Sequence, residues 1–145
     1  MIFKQVFDQK SSTYTYLIAS AEGREALIID PVLENVEDYI KLLNELNLRL
    51  VKVIDTHIHA DHVTGASKLK DLTKCSTIMG EHTPAETVEI KVKDDEYIQL
   101  DNLKIRAMHT PGHTSDSFSF LMNIFRINHY KISFLKILLD VVIIV

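Results

Sequence analysis

The run from Leu50 to His62, Leu-Val-Lys-Val-Ile-Asp followed by Thr-His-Ile-His-Ala-Asp-His, constrains this chain more than any other stretch. Its first part is short, apolar and rich in β-branched residues, as a buried strand requires. Three imidazoles and one carboxylate then crowd into Thr56 to His62. An H-x-H-x-D-H run sets four potential metal ligands at the exit of one strand, and His and Asp hold borderline and hard divalent cations. A polar turn that happens to contain histidines is the plain alternative. The chain has seven His in all, and the density at this one exit favours a metal site.

A metal is enclosed only when separate chain segments supply ligands. His109-Thr110-Pro111-Gly112-His113-Thr114 meets that need, because a Pro-Gly turn after the strand-like Leu103–Met108 presents His113 rigidly. T-P-G-H-T means little alone, but downstream of H-x-H-x-D-H it is specific.

Together these motifs resemble the metallo-β-lactamase superfamily, and more finely its persulfide dioxygenases. The resemblance is carried by Ile2-Phe3-Lys4-Gln5, Ser12 to Ile18, Ile29-Asp30-Pro31-Val32, Thr56 to Gly65 and the T-P-G-H-T segment. It covers residues 1 to 122. It implies an α/β fold, the metallo-β-lactamase αββα sandwich, here incomplete: an N-terminal half plus an atypical apolar tail.

The implied activity is that of a non-haem iron sulfur dioxygenase, an oxidoreductase of sulfide catabolism that uses O₂ to turn glutathione persulfide into sulfite and glutathione. The implied cofactor is one Fe(II) per chain, with His57 and His113 as two of its ligands. His59, Asp61 and His62 then orient those ligands and handle water or protons. The family's third ligand is an Asp in a later Gly-Asp element; no Gly-Asp follows Gly112, and the later acids are Asp116 and Asp140. A zinc thioester hydrolase of glyoxalase II type is the alternative. There His57, His59 and His113 hold one Zn(II), and Asp61 and His62 help hold another. A non-catalytic truncated remnant is the third reading. Ala60 inside the motif, Val63-Thr64-Gly65 and Asp30-Pro31-Val32-Leu33-Glu34 favour the dioxygenase. One departure is Thr114-Ser115-Asp116, where the family commonly has Thr-Pro-Gly.

Bulk properties agree with a metabolic enzyme. At 145 residues, 46% apolar, 25% charged and net charge −4, the chain offers nothing that a nucleic acid or anionic membrane would seek. Small-molecule thiols and O₂ are the expected partners, and a homodimer is compatible with the resemblance. The lone Cys75 reads as a buried small hydrophobe rather than a reactive thiol. Met1 leads directly into a strand-like segment, so the default compartment is the cytoplasm; a longer precursor would make it mitochondrial.

Period-two segments over 2–7 and 13–19, then Ala26–Ile29, predict strands. Val36, Tyr39, Ile40, Leu43 and Leu46 predict a helix within 34–48, and strand 50–55 after it makes a parallel crossover. Thr64 is expected to cap a helix reaching Lys74, with Leu69 and Leu72 inward and its N-terminus beside the metal loop. Ser76–Met79 reads as a strand and His82 as an exposed loop histidine. Asp30 reads as a turn cap, with contact to the metal region as the alternative. Residues 88–108 read as an antiparallel meander, and 118–122 as a further strand.

Residues 123–145 form the second segment, an apolar tail without Gly or Pro. Its most apolar part, Ile132–Val145, falls short of the roughly 20 residues that a membrane-spanning helix needs. The tail reads as foreign to the family's fold, the product of truncation, alternative splicing or a mistaken gene boundary.

Overall fold

The structure is a computed structural model that describes residues 1–123 and 141–144. β1 (Ile2–Asp8) and β2 (Thr13–Ala19) form a hairpin that continues antiparallel into β3 (Glu25–Ile29). After a 3-10 turn, α1 (Val36–Glu45) returns the chain to β4 (Arg49–Ile54), parallel to β3. Parallel pairing continues through α2 (Ala66–Thr73) and β5 (Ser76–Gly80) to the edge strand β6 (Ile90–Val92). β7 (Tyr97–Leu100), β8 (Leu103–His109), β9 (Phe118–Asn123) and β10 (Val141–Ile144) form a second, antiparallel sheet in the order β10-β9-β8-β7.

Alternation along the strands builds two cores from one sheet. Ile18, Leu27, Ile29, Ile54 and Ile78 face the second sheet, where Ile105, Phe118 and Phe120 meet them. Leu17, Ala19, Ile28 and Val53 point the other way, against Val36, Tyr39 and Leu43 of α1 and Leu69 of α2. At about 25 cal/mol per Å² of apolar surface, these cores supply most of the drive to fold. Arg24 crosses between the sheets to Asp101 in the β7–β8 turn, with Nε to Oδ2 at 2.8 Å, and Ser20 donates to the same oxygen.

The crossover and the β7–β8 hairpin follow the sequence pattern, as does the inward face of α1. Two expectations fail. β6 is not part of an antiparallel meander but pairs parallel with β5, and Ile90 at its start stays 40% exposed. A three-residue edge strand is too short for its alternation to reveal its partner. Leu72 is 54% exposed, because it sits in the last turn before α2 ends at Thr73 and the buried part of the helix, Ala66 and Leu69, lies nearer its start. Lys74 closes that helix in the left-handed region at φ 62°.

Cys75 is buried, as expected, and burial pushes its thiol pKa up. Of the tail, Val141–Ile144 pairs antiparallel with β9; residues 124–140, including Asp140, lie outside the described residues. No helix among the described residues is long and apolar enough to cross a membrane.

Candidate metal centre

β4 ends at Ile54, the buried pair Asp55 and Thr56 follows it, and the histidine run then leaves the sheet as an irregular loop. The loop folds back on itself, so imidazoles distant in register become neighbours. The His57 ring lies 4.2 Å from that of His59, and His59 lies 4.3 Å from His62. The turn after β8 brings His113 edge-on to His57, at 4.9 Å and 89°. The two motifs therefore meet in one cluster, His113–His57–His59–His62.

Asp30 organises the base of the cluster. It leaves β3 in the left-handed region at φ 51°, a conformation that Asp tolerates better than most residues. Its buried carboxylate accepts from the Thr56 N–H at 2.7 Å and the Thr56 hydroxyl at 2.9 Å. It also faces His59 Nε2 at 3.0 Å. The metal-region alternative for Asp30 is thus the one the geometry bears out.

A carboxylate can only accept, so the Thr56 hydroxyl proton is committed to Asp30. The Thr56 oxygen, 2.8 Å from His57 Nδ1, must then accept from that nitrogen. His57 carries its proton on Nδ1 and keeps a lone pair on Nε2. Carboxylate-to-imidazole support of this kind fixes the tautomer of metal-ligating histidines.

Thr13, the first residue of β2, does the same for the other end of the cluster. Its hydroxyl donates to Asp61 Oδ2 and lies 3.2 Å from His62 Nδ1, which also lies 3.3 Å from Asp61. The proton of His62 belongs on Nδ1. Its Nε2 is buried with no hydrogen-bond partner among the described residues. A buried, unpartnered imidazole nitrogen costs stability unless a cation takes its lone pair, so the donor set fits a metal.

Ligand atoms of His59, Asp61 and His62 lie within 4.8 Å of one another, and so do those of Asp30, Asp55 and His59. The site borders a cavity of about 150 Å³ lined by His57, His59, His62, Ser67, Thr77 and Val88.

Charge follows this packing. Burial pushes His57 below its usual range, and the neighbouring His59 adds to that. Burial also works against protonation of His59, but the carboxylates of Asp30, Asp55 and Asp61 more than offset it and hold that imidazole above its ordinary value. Asp55 is pushed up to about 7 by burial and by the charge of Asp30, against the hydrogen bond from the Thr64 hydroxyl, which lies 2.8 and 3.0 Å from the two carboxylate oxygens. Thr64 also accepts from the Ala66 N–H and so ties the start of α2 to the metal loop, but the N-cap itself is Gly65, not Thr64 as the sequence pattern predicts, and no side chain caps the helix there.

Asp116 is buried and accepts from the Ile58 N–H at 3.1 Å. The residue that departs from the family pattern therefore braces one histidine loop against the other. Thr13 and the Thr56 hydroxyl carry no sequence signal of their own, and Asp55 reads only as the last residue of a strand. His82 is exposed, as expected, and packs on His109 outside the cluster.

Residues 9–124 match the metallo-beta-lactamase superfamily. The chain belongs to that superfamily. It is 37% identical over 124 residues to the mitochondrial persulfide dioxygenase ETHE1 of Bos taurus, covering 85% of this chain and 48% of that protein. A probable hydroxyacylglutathione hydrolase of Schizosaccharomyces pombe is 38% identical over 109 residues, 74% of this chain and 42% of the relative. The crystal structure of ETHE1 from Myxococcus xanthus superposes with a TM-score of 0.81 at 41% identity, over 84% of this chain and 54% of that one. The chain spans about half the length of the curated relatives it matches.

Proposed function

We propose that the chain carries the metal-binding half of a persulfide dioxygenase that oxidises glutathione persulfide to glutathione and sulfite. The observation that carries this reading is the engagement of His59. Its Nε2 is held by Asp30 and its Nδ1 lies 3.8 Å from Asp61, so it serves as a positioning group beside His57 and His113 rather than as a free ligand. Two histidines and one carboxylate on one face, with open positions opposite, suit a non-haem iron that must accept both an organic sulfur and O₂, and His57 and His113 would supply the two histidines. Bound Fe(II) would supply the redox chemistry that couples O₂ reduction to oxidation of the terminal sulfur.

The chain's own residues do the rest. Asp30, through Thr56, keeps Nε2 of His57 unprotonated. Asp116 holds the His57 loop against the His113 loop. Asp61, half exposed and bonded to Thr13 and His62, is placed to pass to water the two protons released as persulfide, O₂ and water become thiol and sulfite.

A second reading, zinc-dependent thioester hydrolysis, draws support from the unpartnered His62 Nε2 and the close His59, Asp61 and His62 set, which could hold a second metal. Oxygen uptake on glutathione persulfide by the iron-loaded chain tests the first reading. Uptake that vanishes in His57→Ala is the expected result. Thioester hydrolysis with two zinc ions and no uptake would replace it with the second. A folded, loaded chain that turns over neither substrate would favour the remnant.

A further inference from the structure

A second pair of histidines stands apart from the cluster. His82, exposed in the loop after β5, faces His109 at the end of β8 with ring centroids 4.2 Å apart and planes inclined by 43°. His57 and His113, the two histidines assigned above to one metal, have ring centroids 4.9 Å apart. His109 Nε2 lies 3.0 Å from the Ser115 carbonyl oxygen, which can only accept, so that nitrogen holds the ring proton and Nδ1 keeps a lone pair. The His82 ring is engaged only by stacking among the described residues.

The surroundings favour a cation. Asp94 accepts from the backbone N–H of His109 at 2.8 Å, and the backbone N–H of Asp94 in turn approaches Glu81 at 3.4 Å. The Lys91 amine in the same region is committed to the Thr83 carbonyl at 3.0 Å.

We propose that His82 and His109 form a separate transition-metal site that takes Zn(II), Ni(II) or Cu(II) through one nitrogen of each ring. Water, or a carboxylate of Asp94 or Glu81 after a side-chain rotation, completes the coordination. Imidazole selects these late first-row cations over Mg(II) or Ca(II), and two such ligands give a weaker site than a full cluster. An ion here joins the loop after β5 to the root of the turn that carries His113, whose base is closed by the Thr110 N–H to Ser117 carbonyl bond.

The competing account is that both rings merely pack on Phe118, 5.2 Å from His109 and 6.2 Å from His82. Zn(II) titration against a chromophoric chelator separates the two, with histidine ring C–H resonances followed by NMR in parallel. The wild-type chain should bind one weaker equivalent after its tight sites fill, and that equivalent should shift the His82 and His109 resonances. His82→Gln, at an exposed position, should weaken that equivalent by about tenfold or more and spare the tight binding. His113→Ala should do the reverse, so failure of this site is distinguishable from failure of the main centre. An unchanged isotherm in His82→Gln, or His82 resonances indifferent to Zn(II), would overturn the proposal.

Discussion

Asp30 gives the sharpest test of how the centre is held, because two substitutions there separate stability from metal affinity. Asp30→Ala removes the acceptor of the buried Thr56 N–H and of the Thr56 hydroxyl, and places alanine at φ 51°. A buried donor left unpaired costs roughly 1 to 3 kcal/mol, and a left-handed alanine roughly 1 kcal/mol more. The hydroxyl recovers part of its loss by turning to His57. The expected destabilisation is on the order of 3 kcal/mol, read as a lower urea midpoint at unchanged slope.

Asp30→Asn keeps the backbone conformation, and the Thr56 N–H fixes its amide so that oxygen faces that donor. The amide nitrogen then donates to the Thr56 oxygen, and the freed hydroxyl proton turns to His57 Nδ1. His57 must carry its own proton on Nε2 and loses its ligand atom. The asparagine variant should therefore stay folded, within about 1.5 kcal/mol of wild type, yet bind metal about 10- to 100-fold more weakly. Wild-type metal affinity in Asp30→Asn would refute the tautomer argument. A cost under about 1 kcal/mol in Asp30→Ala would refute the burial argument.

Three further outcomes follow from the fold. In Gly80→Ala the added carbon would sit 2.0 Å from the Phe118 ring, so overpacking should cost about 2 kcal/mol or more in urea melts, and a neutral substitution would contradict the packing between the sheets. Cys75 should resist alkylation at neutral pH in the native chain and react once urea unfolds it; labelling without unfolding would show the site to be open. The Asp8 carboxyl is held down to about 2, first by the Ser11 hydroxyl and then by the Ser11 N–H and Asn35. Its folded value lies below its unfolded one, so its contribution is fully present above about pH 4 and fades as pH falls through about 2. Asp8→Asn should flatten that acid limb, and an NMR titration of Asp8 near the ordinary aspartate value would contradict the bonding.

Much of this was legible in residue order. The 3.6 period of Val36, Tyr39 and Leu43 and the apolar β3 and β4 runs specify the crossover, and H-x-H-x-D-H with T-P-G-H-T marks the cluster. Other parts were not legible, for identifiable reasons. β6 is too short to declare its neighbour, and the inward side of α2 depends on where the helix stops. The roles of Thr13 and Thr56 depend on proton direction, which emerges only when Asp61 and Asp30 stand beside them. Asp116 reads as a family departure in sequence and as a brace between loops in three dimensions.

On the proposed reading, His57 and His113 hold one iron while His59 positions them. Metal content of the anaerobically purified chain, compared across His57→Ala, His113→Ala and His59→Ala, tests it most directly. About one iron per wild-type chain is expected, with tight binding lost in the first two variants and only weakened in the third. Equal loss in all three would point to the zinc arrangement, and unchanged metal in His57→Ala would contradict the site altogether.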